Sequence, residues 1–192
     1  MLPLLLAALV WTTMFNAVYS VWANYMVEEL RYSQTVMTRL WSVASTSELL
    51  FMVLAGWLSD RVGRLPMLAL SFAAWSLVFA GYLGLPSMPW LVLVQLMRGF
   101  AFSAYTATAM VYATEVRSRE SRGRASGLYT SAGGLGAILG AMAGGSLVQW
   151  LGFRPMLAIF LAVTLLTAVY LAVVTIRWTQ AGRHSAHAWR AQ

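Results

Sequence analysis

Residues Gly56–Ala69 read GWLSDRVGRLPMLA, and residues Gly145–Ala158 read GSLVQWLGFRPMLA. The two stretches stand 89 residues apart, align without a gap and are identical at seven of fourteen positions. The matches are Gly56/Gly145, Leu58/Leu147, Gly63/Gly152, Pro66/Pro155, Met67/Met156, Leu68/Leu157 and Ala69/Ala158. Shared Gly and Pro positions are harder to reach by chance than shared Leu, so the pair reads as an internal repeat. Each copy joins two long apolar runs. Working outward, apolar runs lie near 3–26, 37–58, 66–85, 90–113, 126–149 and 155–176. A bilayer core about 30 Å thick needs roughly 20 apolar residues per helical crossing, and lipid offers no partner for free backbone groups, so each run is expected to be a helix. Three spans separate the copies, which places them on opposite faces of the membrane. The charges agree: Asp60, Arg61 and Arg64 become Gln149, Trp150 and Phe153, with Arg154 against the trend. Two three-helix units of inverted topology are therefore expected.

Composition supports lipid as the solvent. Of 192 residues, 60% are hydrophobic and 10% charged, against about a quarter charged in a soluble domain. The mean hydropathy is +0.69. Six spans leave only short loops, so the expected layout is one six-helix transmembrane domain over 1–178, with repeat units of about 1–86 and 90–176. A polar cytoplasmic tail follows at 179–192. Residues Met1–Val10 lack a charged n-region and a cleavage site and read as the start of a span rather than a signal peptide. No cysteine is present, which removes disulfides and thiolate metal sites.

All 13 basic residues are arginine. Arg61, Arg64, Arg117, Arg119, Arg122, Arg124, Arg177, Arg183 and Arg190 fall on one side of the six spans; Arg31, Arg39 and Arg154 fall on the other. Basic residues stay on the cytoplasmic side, so both termini are expected in the cytoplasm of an inner-membrane protein. This distribution also accounts for the basic charge without a nucleic-acid partner; membrane lipids are the expected surroundings. His184 and His187 sit in the polar tail and read as solvated. No carboxylate pair, phosphate loop or intramembrane histidine points to an enzyme, a cofactor or a metal.

The cytoplasmic copy resembles the signature loop of the major facilitator superfamily, G-x-L-x-D-R-x-G-R-[RK]. Gly56, Leu58, Asp60, Arg61, Gly63 and Arg64 match, and Leu65 departs where a second basic residue is usual. The resemblance covers the whole chain but half of the family's twelve spans. The stretch Gln95–Phe102, QLMRGFAF, looks like the tenth span of family members, which leans toward a C-terminal half. The resemblance implies a fold of six helices, a substrate cavity lined by spans 1 and 4, and a loop acting as a latch between cytoplasmic helix ends. Gly136, Gly140, Gly144 and Gly145 resemble the family's antiporter motif, but Ala141 replaces its proline. Small residues four apart read instead as a surface for close helix packing.

Two ionisable residues lie inside spans, where charge is costly and usually faces a cavity. Glu48 precedes Asp60 by twelve residues, about 18 Å at a helical rise, and Arg98 follows Trp90 by eight, about 12 Å. Their depths match, so they either pair or share the cavity. Burial disfavours the ionised carboxylate and a nearby cation favours it; moving Arg98 or substrate would bind or release a proton at Glu48. The alternative is a static pair that fixes helix register. Thr13, Asn16, Ser20 and Asn24 form a polar face on span 1, flanked by Tyr19, and Gln95, Arg98, Phe102 and Tyr105 form one on span 4. These faces are read either as substrate cavity or as helix–helix contacts. The expectation is a secondary transporter domain that moves a small organic solute by alternating access, coupled to protons. It would work with a second six-helix half, from a copy of itself or from another chain. The competing expectation is a non-transporting membrane scaffold or assembly subunit, or a truncated fragment, that keeps the fold.

Overall fold

The computed structural model describes residues 1–84, 87–115 and 122–190, with side chains described through residue 180. Arg117 and Arg119 lie outside the described residues, as do the side chains of Arg183, His184, His187 and Arg190. The described residues form six α-helices: α1 Leu2–Asn24, α2 Gln34–Val62, α3 Arg64–Leu83, α4 Met88–Glu115, α5 Arg122–Leu151 and α6 Phe153–Arg190. A five-residue π-turn, Tyr25–Glu29, extends α1. Five of the six are long and apolar enough to cross a membrane. The sixth, α4, carries Gln95 and Arg98 in its middle, and these dilute its apolar content. Among the described residues there is no strand. The chain is a polytopic helical membrane protein.

The repeat is visible in the backbone. Gly63 and Gly152 take φ values of 96° and 88°, a region open to glycine at little cost. The Gly63 N–H closes α2 on Ser59 O at 3.0 Å, and Gly63 O accepts the Met67 N–H of α3 at 3.2 Å. In the second copy Gly152 bonds Val148 O at 2.8 Å and accepts from Met156 at 3.4 Å. Every member of one set stands 89 residues from its counterpart. Pro66 and Pro155 each take the third position of the helix that follows, within the first turn, where a missing N–H costs nothing.

Most of the packing obeys the same exchange. Three extensive contacts, α1 with α5, α2 with α4 and α3 with α6, form one set, while a fourth, α3 with α4, has only a slight counterpart in α6 with α1. Swapping the two three-helix units turns the first pair into the second and leaves the third unchanged. The two units also run in opposite senses. Arg154, at the start of α6, donates to Leu83 O at the far end of α3 (2.9 Å), so Gly152 and Gly63 turn at opposite ends of the bundle. One core cluster, with Leu65, Leu68, Phe72, Tyr112 and Leu171, fills the Gly63 end. A larger one, with Trp22, Trp75, Phe79, Leu91, Met156 and Phe160, fills the Gly152 end. Helix α3 is the most buried, while α5 buries only Ala125, Gly136, Gly140 and Gly144.

That sparse burial on α5 is a contact surface. A Cβ on Gly136 would overlap Thr12 and the Leu9 carbonyl; on Gly140 it would overlap the Thr13 carbonyl, and on Gly144 the Ala17 carbonyl. Backbone therefore lies on backbone along three turns, the close approach that small residues four apart permit. At the related α2–α4 crossing the glycine is on the other partner: a Cβ on Gly99 would overlap the Ser47 hydroxyl. Ser47 and Gly136 are themselves 89 residues apart.

Candidate functional site

Two polar centres interrupt the apolar interior. The first is the loop between α2 and α3. Arg64 donates through Nε and Nη2 to both carboxylate oxygens of Glu115, each at 2.9 Å. Its Nη1 donates to Ser59 Oγ at 2.9 Å and pairs with Asp60 at 2.6 Å. Thr108 of α4 donates to Ser59 Oγ at 3.1 Å. The guanidinium thus ties α2, α3 and α4 at one end of the bundle, and its hydrogen bonds hold the Glu115 carboxyl below the usual carboxylate range. Arg61 instead lies 3.9 Å from the Trp57 ring centroid. Leu58 packs beside Ala55, Met67 and Ala104. Gly63 makes the turn; a Cβ on Gly56 would meet nothing within 4 Å, so its small size serves no contact inside this bundle. Sequence reading gathered Asp60, Arg61 and Arg64 but did not single out Glu115, whose position at the edge of span 4 was the available signal.

The second centre lies midway along α2 and α4. Arg98 of α4 donates from Nη2 to Glu48 Oε1 of α2 at 2.6 Å, with side chains 2% and 18% exposed. A charge buried this deeply survives only with compensation. Besides Glu48, the guanidinium lies 4.4 Å from the Trp41 ring centroid and 5.1 Å from that of Tyr19. Ring quadrupoles attract a desolvated cation by as much as about 2 kcal/mol. Ser103 Oγ donates to the Glu48 backbone carbonyl at 2.9 Å, which fixes α2 against α4 at this depth. Arg98 Nε and Nη1 are buried without a hydrogen-bond partner among the described residues, as is Gln95 Nε2. The Oε1 of Gln95 accepts from Tyr82 at 3.3 Å. An unused buried donor costs free energy, so the centre offers donors to an incoming acceptor.

The remaining cavity candidates divide. On α4, Phe102 and Tyr105 both meet Trp11 of α1, at ring-centroid distances of 5.6 and 4.3 Å. On α1 the polar face turns elsewhere. Asn16 donates to Thr12 O at 2.8 Å and Ser20 to Ala17 O at 3.1 Å, both within their own helix. Thr13, Asn16 and Ser20 lie against the glycines of α5, and Asn24 is exposed. What meets α4, Arg98 and α2 is an aromatic face made of Trp11, Phe15, Tyr19 and Trp22. Of these the sequence reading named only Tyr19. The signal was present, since Trp11, Phe15 and Tyr19 are spaced by four and Trp22 by three more.

At the Gly152 end, the last three carbonyls of α3 accept from side chains of three different segments, Gly81 O also accepting the Gly84 N–H at 3.2 Å. Trp90 Nε1 donates to Gly81 O at 2.8 Å, Tyr25 OH to Tyr82 O at 3.0 Å and Arg154 to Leu83 O at 2.9 Å. Side chains thus satisfy a helix C-terminus that would otherwise need water. This explains why an arginine sits on the side that the charge rule leaves poor in arginine. Arg154→Ala is expected to lower unfolding stability in lipid nanodiscs by about 1 kcal/mol, the usual net worth of one hydrogen bond. Arg154→Lys should retain most of it, and an unchanged Ala variant would show the cap to be idle.

An inverted pair of three-helix units, a charged loop binding three helix ends and an ion pair midway along two helices together define one half of a membrane transporter fold. The model of the Major Facilitator Superfamily matches residues 4–190, and the chain belongs to that family. It is 27% identical over 141 residues to an uncharacterized MFS-type transporter, YybF, of Bacillus subtilis, which covers 73% of this chain and 35% of that protein. It is 32% identical over 114 residues to the multi-drug resistance efflux pump PmrA of Streptococcus pneumoniae, covering 59% of this chain and 28% of the pump. The chain spans about a third of the length of these relatives.

Proposed function

We propose that the chain is one six-helix half of a secondary transporter that moves a small organic solute by alternating access, with a proton carried at Glu48. It acts in the inner membrane with both termini in the cytoplasm, beside a second six-helix half. The observation that carries this reading is the Arg98–Glu48 pair at 2.6 Å. Two charges at mid-membrane depth, held by aromatic rings and short of hydrogen-bond acceptors, form a poor structural element and a suitable switch. A proton on Glu48 discharges the carboxylate and frees Arg98 for an acceptor group on the solute; departure of the solute returns Arg98 to Glu48 and expels the proton. The Arg64 cluster serves as the latch that fixes the cytoplasmic ends of α2, α3 and α4 in one state. The α2 and α5 flanks, with Leu49, Leu50, Val53, Leu135, Ile138 and Leu139 exposed, would receive the second half. Relatives named as efflux pumps support transport as the class, and both directions are to be measured.

The Arg98–Glu48 pair also joins α2 to α4, and as a static element it supports a second reading, a membrane scaffold that keeps the fold without moving solute. Flux across vesicles driven by a pH gradient separates the two. Transport predicts gradient-dependent flux that Glu48→Gln abolishes together with its pH dependence. Unchanged flux and pH dependence in that variant would remove Glu48 from the coupling. No flux even with a second half present would favour the scaffold.

A further inference from the structure

A cavity of about 260 Å³ opens between α1 and α2, lined by Tyr19, Trp22, Ala23, Met37, Thr38, Trp41 and Ser42. Its three rings form one cluster, with centroid distances of 5.6 Å for Tyr19–Trp41, 5.5 Å for Trp22–Trp41 and 6.4 Å for Tyr19–Trp22. We propose that this cavity binds the flat ring of a small aromatic solute that carries no positive charge, and that it discriminates against aromatic cations.

The size fits one or two fused rings, and tilted or edge-on ring partners are the arrangements aromatic pairs favour. The polar rim has a definite sense. Thr38 and Ser42 donate their hydroxyl hydrogens to Gln34 O and Thr38 O, at 2.9 and 3.0 Å. Their oxygens remain as acceptors, suited to an O–H or N–H on the ring. The charge preference comes from Arg98. Its guanidinium already lies over Trp41 and Tyr19, two of the three rings in the wall. A cationic ligand would compete for π-electron density that this guanidinium has already polarised. No carboxylate lines the cavity to compensate, and Glu48 is engaged with Arg98. A lipid chain in the same place would be indifferent both to charge and to the exchange of an aromatic for an aliphatic wall.

The inference rests on the transport reading for why a solute visits the cavity, so its test measures equilibrium binding without flux. The full chain in nanodiscs is dialysed against 2-naphthol, 2-naphthoate and the 2-naphthyl-trimethylammonium ion, which share a ring system and differ in charge. Saturable binding of the first two is expected, with the ammonium ion at least roughly tenfold weaker. Trp41→Leu should weaken naphthol binding roughly three- to tenfold, the range of one aromatic pair, while Trp41→Phe keeps most of it. Trp22→Leu supplies an independent wall variant should the first fail to fold. Equal affinity for the ammonium ion, or binding untouched by loss of either ring, would overturn the assignment. If the charge series fails while Glu48-dependent flux persists, only this inference falls. If the series holds and no flux is found, the transport reading falls instead.

Discussion

Gly140→Leu is expected to break the contact between α1 and α5 and to destabilise the bundle by about 3 kcal/mol, near the upper end of what overpacking costs. The magnitude follows from what stands in the way. A Cβ at Gly140 overlaps the Thr13 carbonyl and sits 3.0 Å from the Asn16 Cβ. Backbone cannot rotate aside as a flexible side chain does, so the helices must separate. Separation would strip the adjacent Gly136 and Gly144 of their contacts too. The same helix supplies the control. A Cβ at Gly134 meets nothing within 4 Å, so Gly134→Leu should leave unfolding in nanodiscs within about 0.5 kcal/mol of the parent, as for exposed sites generally. Equal tolerance of both substitutions would mean that α5 does not lie on α1 as described.

This contact also shows where sequence reading reached its limit. The repeat was legible because Gly63 and Gly152 perform an identical backbone task, a positive φ closing one helix and opening the next. No side chain replaces glycine there cheaply, so both copies keep it. Five of the six helices were legible because length and apolarity decide whether a segment can cross lipid, and α4, despite Gln95 and Arg98, by its length and its apolar flanks. The polar face of α1 was legible as a face that avoids lipid, but polarity does not say what covers it. Threonine, serine and asparagine return hydrogen bonds to their own helix, as Thr12, Asn16 and Ser20 do, and then pack against glycine as readily as they line water. The complement of that face, Gly136–Gly144, lies more than a hundred residues away and was read separately. The aromatic face failed for the opposite reason: in a chain rich in Trp, Tyr and Phe, a row of rings looks like lipid-facing bulk until a buried cation is found above it. Arg98 and Glu48 were matched in depth from rise per residue, and the structure joins them; the rings that share the cation come from helix rotation, which spacing from a span edge does not supply.

Glu48→Leu is expected to cost about 3 kcal/mol of stability, more than Arg98→Leu, and the double variant Arg98→Leu/Glu48→Leu should recover most of the loss. Breaking a buried ion pair strands the remaining charge, at about 3–5 kcal/mol, whereas replacing both partners by apolar groups is often neutral. The order of the single variants comes from chemistry and exposure. A guanidinium cannot shed its proton, and Arg98 is 2% exposed, so it is left charged with only the π faces of Trp41 and Tyr19 for company. Glu48, at 18% exposure, can take up a proton once its partner is gone. A denaturant titration of the four species in one lipid composition gives the coupling energy directly, and additive single losses would show that the pair contributes nothing as a pair. The same four proteins also decide what the pair is for. A stable double variant that still supports pH-driven flux would make the ion pair a register-fixing element. A double variant that is stable but no longer couples flux to protons would assign the pair to the transport cycle, because the only thing then missing is the charge that moves.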